Sequence, residues 1–142
     1  MARVTIQHAD INSGVAVRVK CTGVSVGGKK NNNKTPNANG DDLVYVQTQS
    51  YENLTYSISG IHYTGESGIL SWADVITLYK AKNTSTNYAV LTVTYGDSTQ
   101  LTGLAGTTDI KVALDTLNFP ISTIDSKEAY LPVGSLTFTE TK

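Results

Sequence analysis

The sequence predicts a mainly β protein: an antiparallel β-sandwich or barrel with one flanking α-helix and a long inter-strand loop, forming one domain over residues 1–142. Three observations carry this. Runs of Val, Ile, Thr and Tyr alternate apolar with polar at the two-residue period of half-buried strands. The 3.6-residue period of a helix surfaces in one place, after Ser71. Charged residues make up only 16% and Pro only 3, while Thr, Ser, Asn, Gly, Val and Tyr abound, which suits strands with polar faces. Because the strand patterns do not alternate with helices, the sheet is expected to be antiparallel, with seven or eight strands.

In chain order, Val4 and Ile6 alternate with Thr5 and Gln7 in a short first strand. Val15, Val17 and Val19 alternate with Ala16, Arg18 and Lys20, ending at Cys21. Residues 27–42, GGKKNNNKTPNANGDD, then carry no aliphatic or aromatic side chain larger than Ala38 and read as the long polar loop. Leu43–Thr48 resumes the strand pattern, and Leu54–Ser59 follows with Leu54, Tyr56 and Ile58 on one face and Gly60 at its end. The run Ser71-Trp72-Ala73-Asp74 has capping-box spacing, with Ser71 at the N-cap. Trp72, Val75, Ile76 and Tyr79 recur at helical spacing, giving a helix from about Trp72 to Lys82, with Lys80 and Lys82 placed to suit its dipole. Tyr88–Tyr95 is the clearest strand, with Ala89, Leu91, Val93 and Tyr95 on one face. Asp109–Phe119 presents Ile110, Val112, Leu114 and Leu117, and Pro120 bends or ends it before Ile121–Ile124. Gly134–Thr141 is the last strand, with Leu136 and Phe138 inward. The core anchors expected from these patterns are Trp72, Ile76 and Tyr79 on the helix and Leu91 and Val93 on the strand.

Composition narrows function. With 11 basic and 12 acidic residues the formal net charge is −1, which argues against sequence-independent gripping of nucleic-acid phosphates. The one cysteine, Cys21, forms no intrachain disulfide and supports no multi-cysteine zinc site; it reads as a small buried hydrophobe at a strand end. The first residues, MARVTIQHAD, lack the apolar run of a signal peptide, and no stretch approaches the roughly 18 apolar residues of a membrane span.

No catalytic constellation emerges, and the expectation is a protein without enzymatic activity or cofactor. His8 and His62 have no metal-ligand spacing and read as partly exposed strand-end residues. Gly65-Glu66-Ser67-Gly68 is not a G-x-S-x-G elbow, and Gly27-Gly28-Lys29-Lys30 is too short for a phosphate loop. Asp41 and Asp42 follow Gly40 in a turn without EF-hand spacing. Sequons at Asn33, Asn53 and Asn83 are what chance yields in a chain this rich in Asn, Ser and Thr.

The order of elements, with Asn53-Leu54-Thr55-Tyr56-Ser57-Ile58-Ser59-Gly60 before the helix and a terminal Leu136-Thr137-Phe138-Thr139-Glu140, is suggestive. Over most of its length the chain resembles the tail tube (major tail) protein family of long-tailed viruses of bacteria and archaea. Short motifs carry the resemblance: a segment like E-N-x-T-x-S-I-S-G before the helix and a terminal strand like x-F-x-E-T. It implies a structural virion protein that assembles in the host cytoplasm into stacked rings, commonly hexameric, and resides in the virion tail. Its partners are then other copies of itself and the tail proteins at the tube ends. Viral DNA passes through the bore without specific binding.

Under this resemblance the polar stretch becomes an inter-subunit arm, comprising Lys29, Lys30, Asn31, Asn32, Asn33, Lys34, Thr35, Pro36, Asn37, Asp41 and Asp42. The bore is expected to be neutral to acidic, with Arg18, Lys20 and the arm lysines at subunit contacts or outside. Two other readings stay open: a carbohydrate-binding or adhesin-like β-sandwich using some of the 8 tyrosines and the tryptophan, and a capsid or decoration protein.

Overall fold

Ten strands and one helix make up the structure, a computed structural model that describes residues 3–36, 44–62, 66–120 and 134–141. The strands are β1 (Arg3–Gln7), β2 (Val17–Val19), β3 (Gly23–Gly27), β4 (Lys30–Pro36), β5 (Val44–Tyr51), β6 (Thr55–Ile61), β7 (Ala89–Tyr95), β8 (Thr99–Gln100), β9 (Ile110–Asn118) and β10 (Gly134–Glu140); the helix α1 spans Trp72–Lys80. The fold is mainly β with antiparallel strand pairing, as the alternating pattern requires. Eight strands form one sheet in the order β2-β1-β7-β9-β10-β6-β3, with β8 beside β7, and β4 and β5 form a separate pair.

The two ends of the large sheet are neighbours in sequence. Only residues 20–22 separate β2 from β3. The Lys20 carbonyl accepts the His62 N–H at 2.9 Å, and the Thr22 N–H donates to the Ser59 carbonyl at 3.0 Å, so the ladder between β3 and β6 runs on through the connector. Residues 17–27 therefore act as one bent strand, pairing with β1 in its first part and with β6 in its second. The sheet wraps round and closes at this connector, while the side of β3 away from β6 stays unpaired among the described strands.

Inside lies a continuous apolar core. Val4 and Ile6 of β1, Val17 and Val19 of β2, Leu91 and Val93 of β7, Ile110 and Val112 of β9, and Leu136 and Phe138 of β10 are all buried, each set at the two-residue period. Val15 continues the sequence pattern of β2 but is 61% exposed. The cause is a left-handed turn just before it, with Asn12, Ser13 and Gly14 at φ of 48°, 54° and 82°.

Two bulges explain where the alternation slips. Gly60, at φ +68°, does not end its strand; it lets β6 continue to the buried Ile61, where a Cβ would drive into Thr22. A register shift opposite Thr137 and Phe138 inserts Asp115 into β9, moving the inward positions from Leu114 to Leu117. The expected continuation over Ile121–Ile124 lies outside the described residues.

The helix starts as its sequence dictates. Ser71 Oγ accepts the Asp74 N–H at 3.3 Å and Asp74 Oδ2 accepts the Ser71 N–H at 3.2 Å, a complete capping box. Its roll differs from the expected one. Val75 and Leu78 are buried, whereas Trp72 and Tyr79 are 45% and 61% exposed and Ile76 is half-buried. At about 100° per residue this is roughly a quarter turn from the face centred on Trp72, Ile76 and Tyr79. The buried Leu70 anchors the chain just before the cap, and Leu78 claims the inward position. Trp72 instead packs edge-on against Phe119, centroids 5.3 Å apart.

The stretch expected to be a loop is partly strand. Lys30–Pro36 forms β4 and pairs with β5 from Lys30↔Tyr51 to Pro36↔Val44. A polar sequence without apolar alternation conceals a strand, because residues 30–33 and their partners 47–51 have no buried face to demand one. No helix among the described residues is long and apolar enough to cross a membrane.

Candidate assembly surface

The ribbon of β4 and β5 holds most of the expected arm. Lys30, Asn31, Asn32, Asn33, Lys34, Thr35 and Pro36 lie on β4, and Lys29 sits at its base, where its carbonyl accepts the Glu52 N–H at 2.8 Å. Asn37, Asp41 and Asp42 lie outside the described residues. Residues 28–33 and 47–53 are exposed throughout, so both faces of the ribbon's lower half meet solvent. The cross-strand bond from Asn31 Nδ2 to Ser50 Oγ, 2.9 Å, is polar on an exposed face. A bulge opposite Asn31 and Asn32 adds local twist.

The two edges of the ribbon differ in chemistry. β4 carries Lys30, Lys34 and Pro36, the residue types that discourage further strand pairing. β5 reads VYVQTQSY, with no charge and no proline over eight residues. A second unguarded edge lies on the barrel. β3 reads GVSVG, pairs only with β6 among the described strands, and leaves Val26 43% exposed.

Near the base of the ribbon, a buried carboxylate ties the end of β10 to β6 and to the loop after β8. Glu140, at the end of β10, is 6% exposed. Its Oε2 accepts the Tyr56 hydroxyl at 3.2 Å and its Oε1 accepts the Leu104 N–H at 2.9 Å. Gly103 makes the second contact feasible, since a Cβ there would meet the carboxylate. Burial, then the adjacent Glu140 charge and hydrogen bond, hold the Tyr56 hydroxyl protonated well above the usual phenol range. Leu104 thereby sits opposite Tyr51 and Leu54, and an apolar groove of about 530 Å³ opens between them and Lys29–Lys30. Tyr51 and Leu104 are 65% and 48% exposed. Sequence patterning missed this anchor: a terminal glutamate gives no signal until β10 is seen to continue its inward phase from Phe138 to Glu140.

Of the expected core anchors, Leu91 and Val93 are buried at 0% and 4%, while the three helix residues sit at the rim as described. His8 is corrected from partly exposed to 3% exposed, because it extends the inward phase of Val4 and Ile6. Cys21 is half-buried against the core, and burial pushes its thiol up from its ordinary value. Arg18 is half-buried on β2, and Lys20 pairs with Glu66 at 3.7 Å. Among the described residues no group of three or more His, Cys, Asp or Glu side chains is placed to hold a metal ion. No protein-family model matches the chain, and no curated protein matches it.

Proposed function

We propose that the chain is a structural subunit that assembles with copies of itself into stacked rings, forming a tail tube through which a viral genome passes. One observation carries this reading: the β4–β5 ribbon stands apart from the large sheet with both faces of its lower half exposed. A lone two-stranded ribbon is at best marginally stable in water, so a partner that covers it supplies what the monomer lacks.

The unguarded edges of β5 and β3 support the same reading. They are different surfaces of one molecule, so pairing β5 of one copy with β3 of the next is a head-to-tail contact. Contacts of that kind build rings when the rotation closes and filaments when it does not. Main-chain hydrogen bonds then supply affinity along an extended edge. In this reading the arm lysines and Lys20 lie at subunit contacts, and the near-neutral net charge of −1 spares passing DNA from phosphate-gripping contacts.

Negative-stain microscopy of the purified full chain tests the proposal. Rings or hollow tubes are expected. A variant in which two glycines replace Lys30–Ser50 is expected to keep the monomer's circular dichroism and unfolding midpoint while losing tubes. A protein that stays monomeric at all concentrations and binds glycans overturns the proposal in favour of a carbohydrate-binding module. Tubes that form unchanged without the ribbon remove the ribbon's role.

A further inference from the structure

We propose that His8 is a proton-operated latch on the turn formed by residues 9–15. Its imidazole is 3% exposed, and Nδ1 accepts the Asp10 N–H at 3.1 Å. Nδ1 therefore carries a lone pair, and in the neutral ring the proton is on Nε2. Nε2 has no protein partner among the described residues.

The ring borders a cavity of about 90 Å³ beneath the C-terminal end of α1. At about 30 Å³ per water this is room for about three waters. Asn83 and Asn87 supply polar side chains to the cavity, so water there has hydrogen-bonding partners besides the imidazole. The site is thus wet enough to deliver a proton to a buried base.

The surroundings leave few competing charges. Leu78 and Ala81 face the cavity from the helix end, Ala89 from β7, and Val112, Ala113 and Leu114 from β9; none of them titrates. Lys111, next to Val112, lies over the Tyr88 ring at 4.5 Å. Asp115 accepts the Thr139 hydroxyl at 3.4 Å. Lys80 is exposed in the last turn of α1. Among the described residues, the charged group within 4 Å of the imidazole is the Asp10 carboxylate, with Oδ2 3.8 Å from Nδ1.

Protonation places a hydrogen on Nδ1, directly opposite the Asp10 N–H. Two donors then face each other and the bond is lost. The Asp10 carboxylate, already 3.8 Å from Nδ1, is the available replacement acceptor, and the Asp10 peptide, left with its donor facing another donor, turns away from the ring. That peptide opens the left-handed turn of Asn12, Ser13 and Gly14, where non-glycine residues sit in a disfavoured conformation. The turn is closed by Gly14 N–H to the Ile11 carbonyl at 2.9 Å and by Gln7 Nε2 to the Gly14 carbonyl at 2.9 Å. Acidification is thus expected to release this turn and shift the exposed Val15, without unfolding the barrel.

Nuclear magnetic resonance of the full chain in solution, titrated from about pH 8 to about pH 5, tests the latch. The Asp10 and Gly14 amides are expected to move along one sigmoid whose midpoint coincides with that of the His8 ring protons. His8→Asn retains an acceptor but no titrating ring, and is expected to hold both amides fixed apart from the Asp10 carboxylate's own effect. Asp10→Ala removes the replacement acceptor together with its charge and is expected to lower the midpoint. A His8 ring that titrates while the amides stay still, a ring that does not titrate in this range, or amides that move with an unchanged midpoint in His8→Asn each overturn the proposal. If His8→Asn does not fold, the coincidence or divergence of the wild-type midpoints decides.

Discussion

At the scale of single residues, Glu140 and Tyr56 bear the most weight for their size. The pair joins the last strand to β6, and the second carboxylate oxygen joins it to Leu104. Tyr56→Phe removes one donor from a buried carboxylate and is expected to cost about 1–3 kcal/mol, measured by urea denaturation. The pH dependence has a definite sign. Tyr56 is held protonated in the folded state above the unfolded value of about 10, so its contribution is complete below that pH. It is lost as pH rises beyond, because the unfolded chain then binds fewer protons than the folded one. Wild-type stability is expected to fall more steeply above about pH 10 than that of Tyr56→Phe, as followed by thermal midpoints. None of this network was legible in the sequence, where Glu140 enters only as part of the terminal-strand motif. Its burial follows from an even strand phase that begins at Gly134, whose lack of a side chain leaves room for the Phe119 ring.

At the scale of elements, local chemistry announced some features and concealed others. The capping box at Ser71 fixes where α1 starts, and Ser71→Ala is expected to destabilise the protein by about 1 kcal/mol, read from the shift in urea midpoint. The same sequence did not fix the helix roll. Trp72, Ile76 and Tyr79 form as regular an apolar stripe as the face that is buried, and size favoured the wrong one. The tertiary anchors, Leu70 before the cap and Leu78 in the second turn, decide the matter. The strands with one buried face, β1, β7, β9 and β10, showed their two-residue period openly. β4 did not, because residues 30–33 and their partners, exposed on both faces, impose no apolar alternation, and the two-residue, exposed β8 was hidden for the same reason. β3 does alternate, at Val24 and Val26, but over only five residues bounded by glycines.

At the scale of the whole molecule, closure of the barrel leaves the unpaired backbone concentrated on the ribbon and on β3. Val26 lies on that β3 edge with its side chain 43% exposed. Val26→Lys adds a guarding charge to the edge and is expected to abolish tube formation while changing monomer stability by less than about 1 kcal/mol. Microscopy paired with urea denaturation checks both halves of that expectation. Charge supplies a second check. If the bore avoids gripping DNA, tubes bind added duplex DNA weakly, and raising salt from about 50 to about 200 mM changes that binding far less than the 10³–10⁵-fold loss typical of proteins with six to ten phosphate contacts.

The position of β10 also sets a timetable. The last strand of the chain lies between β9 and β6, in the middle of the sheet. Before residues 134–140 have been synthesised, β6 and β9 have no strand between them, and the sheet stays open on that side. Vectorial folding from the N-terminus therefore stalls at an unclosed sheet. Closure waits for a pairing between residues as distant as Thr55 and Thr139, the kind of long-range step that makes folding slow. The half-made chain leaves the flanks of β6 and β9 uncovered in the interval. The chain is thus expected to be most prone to aggregation during synthesis, before β10 is in place.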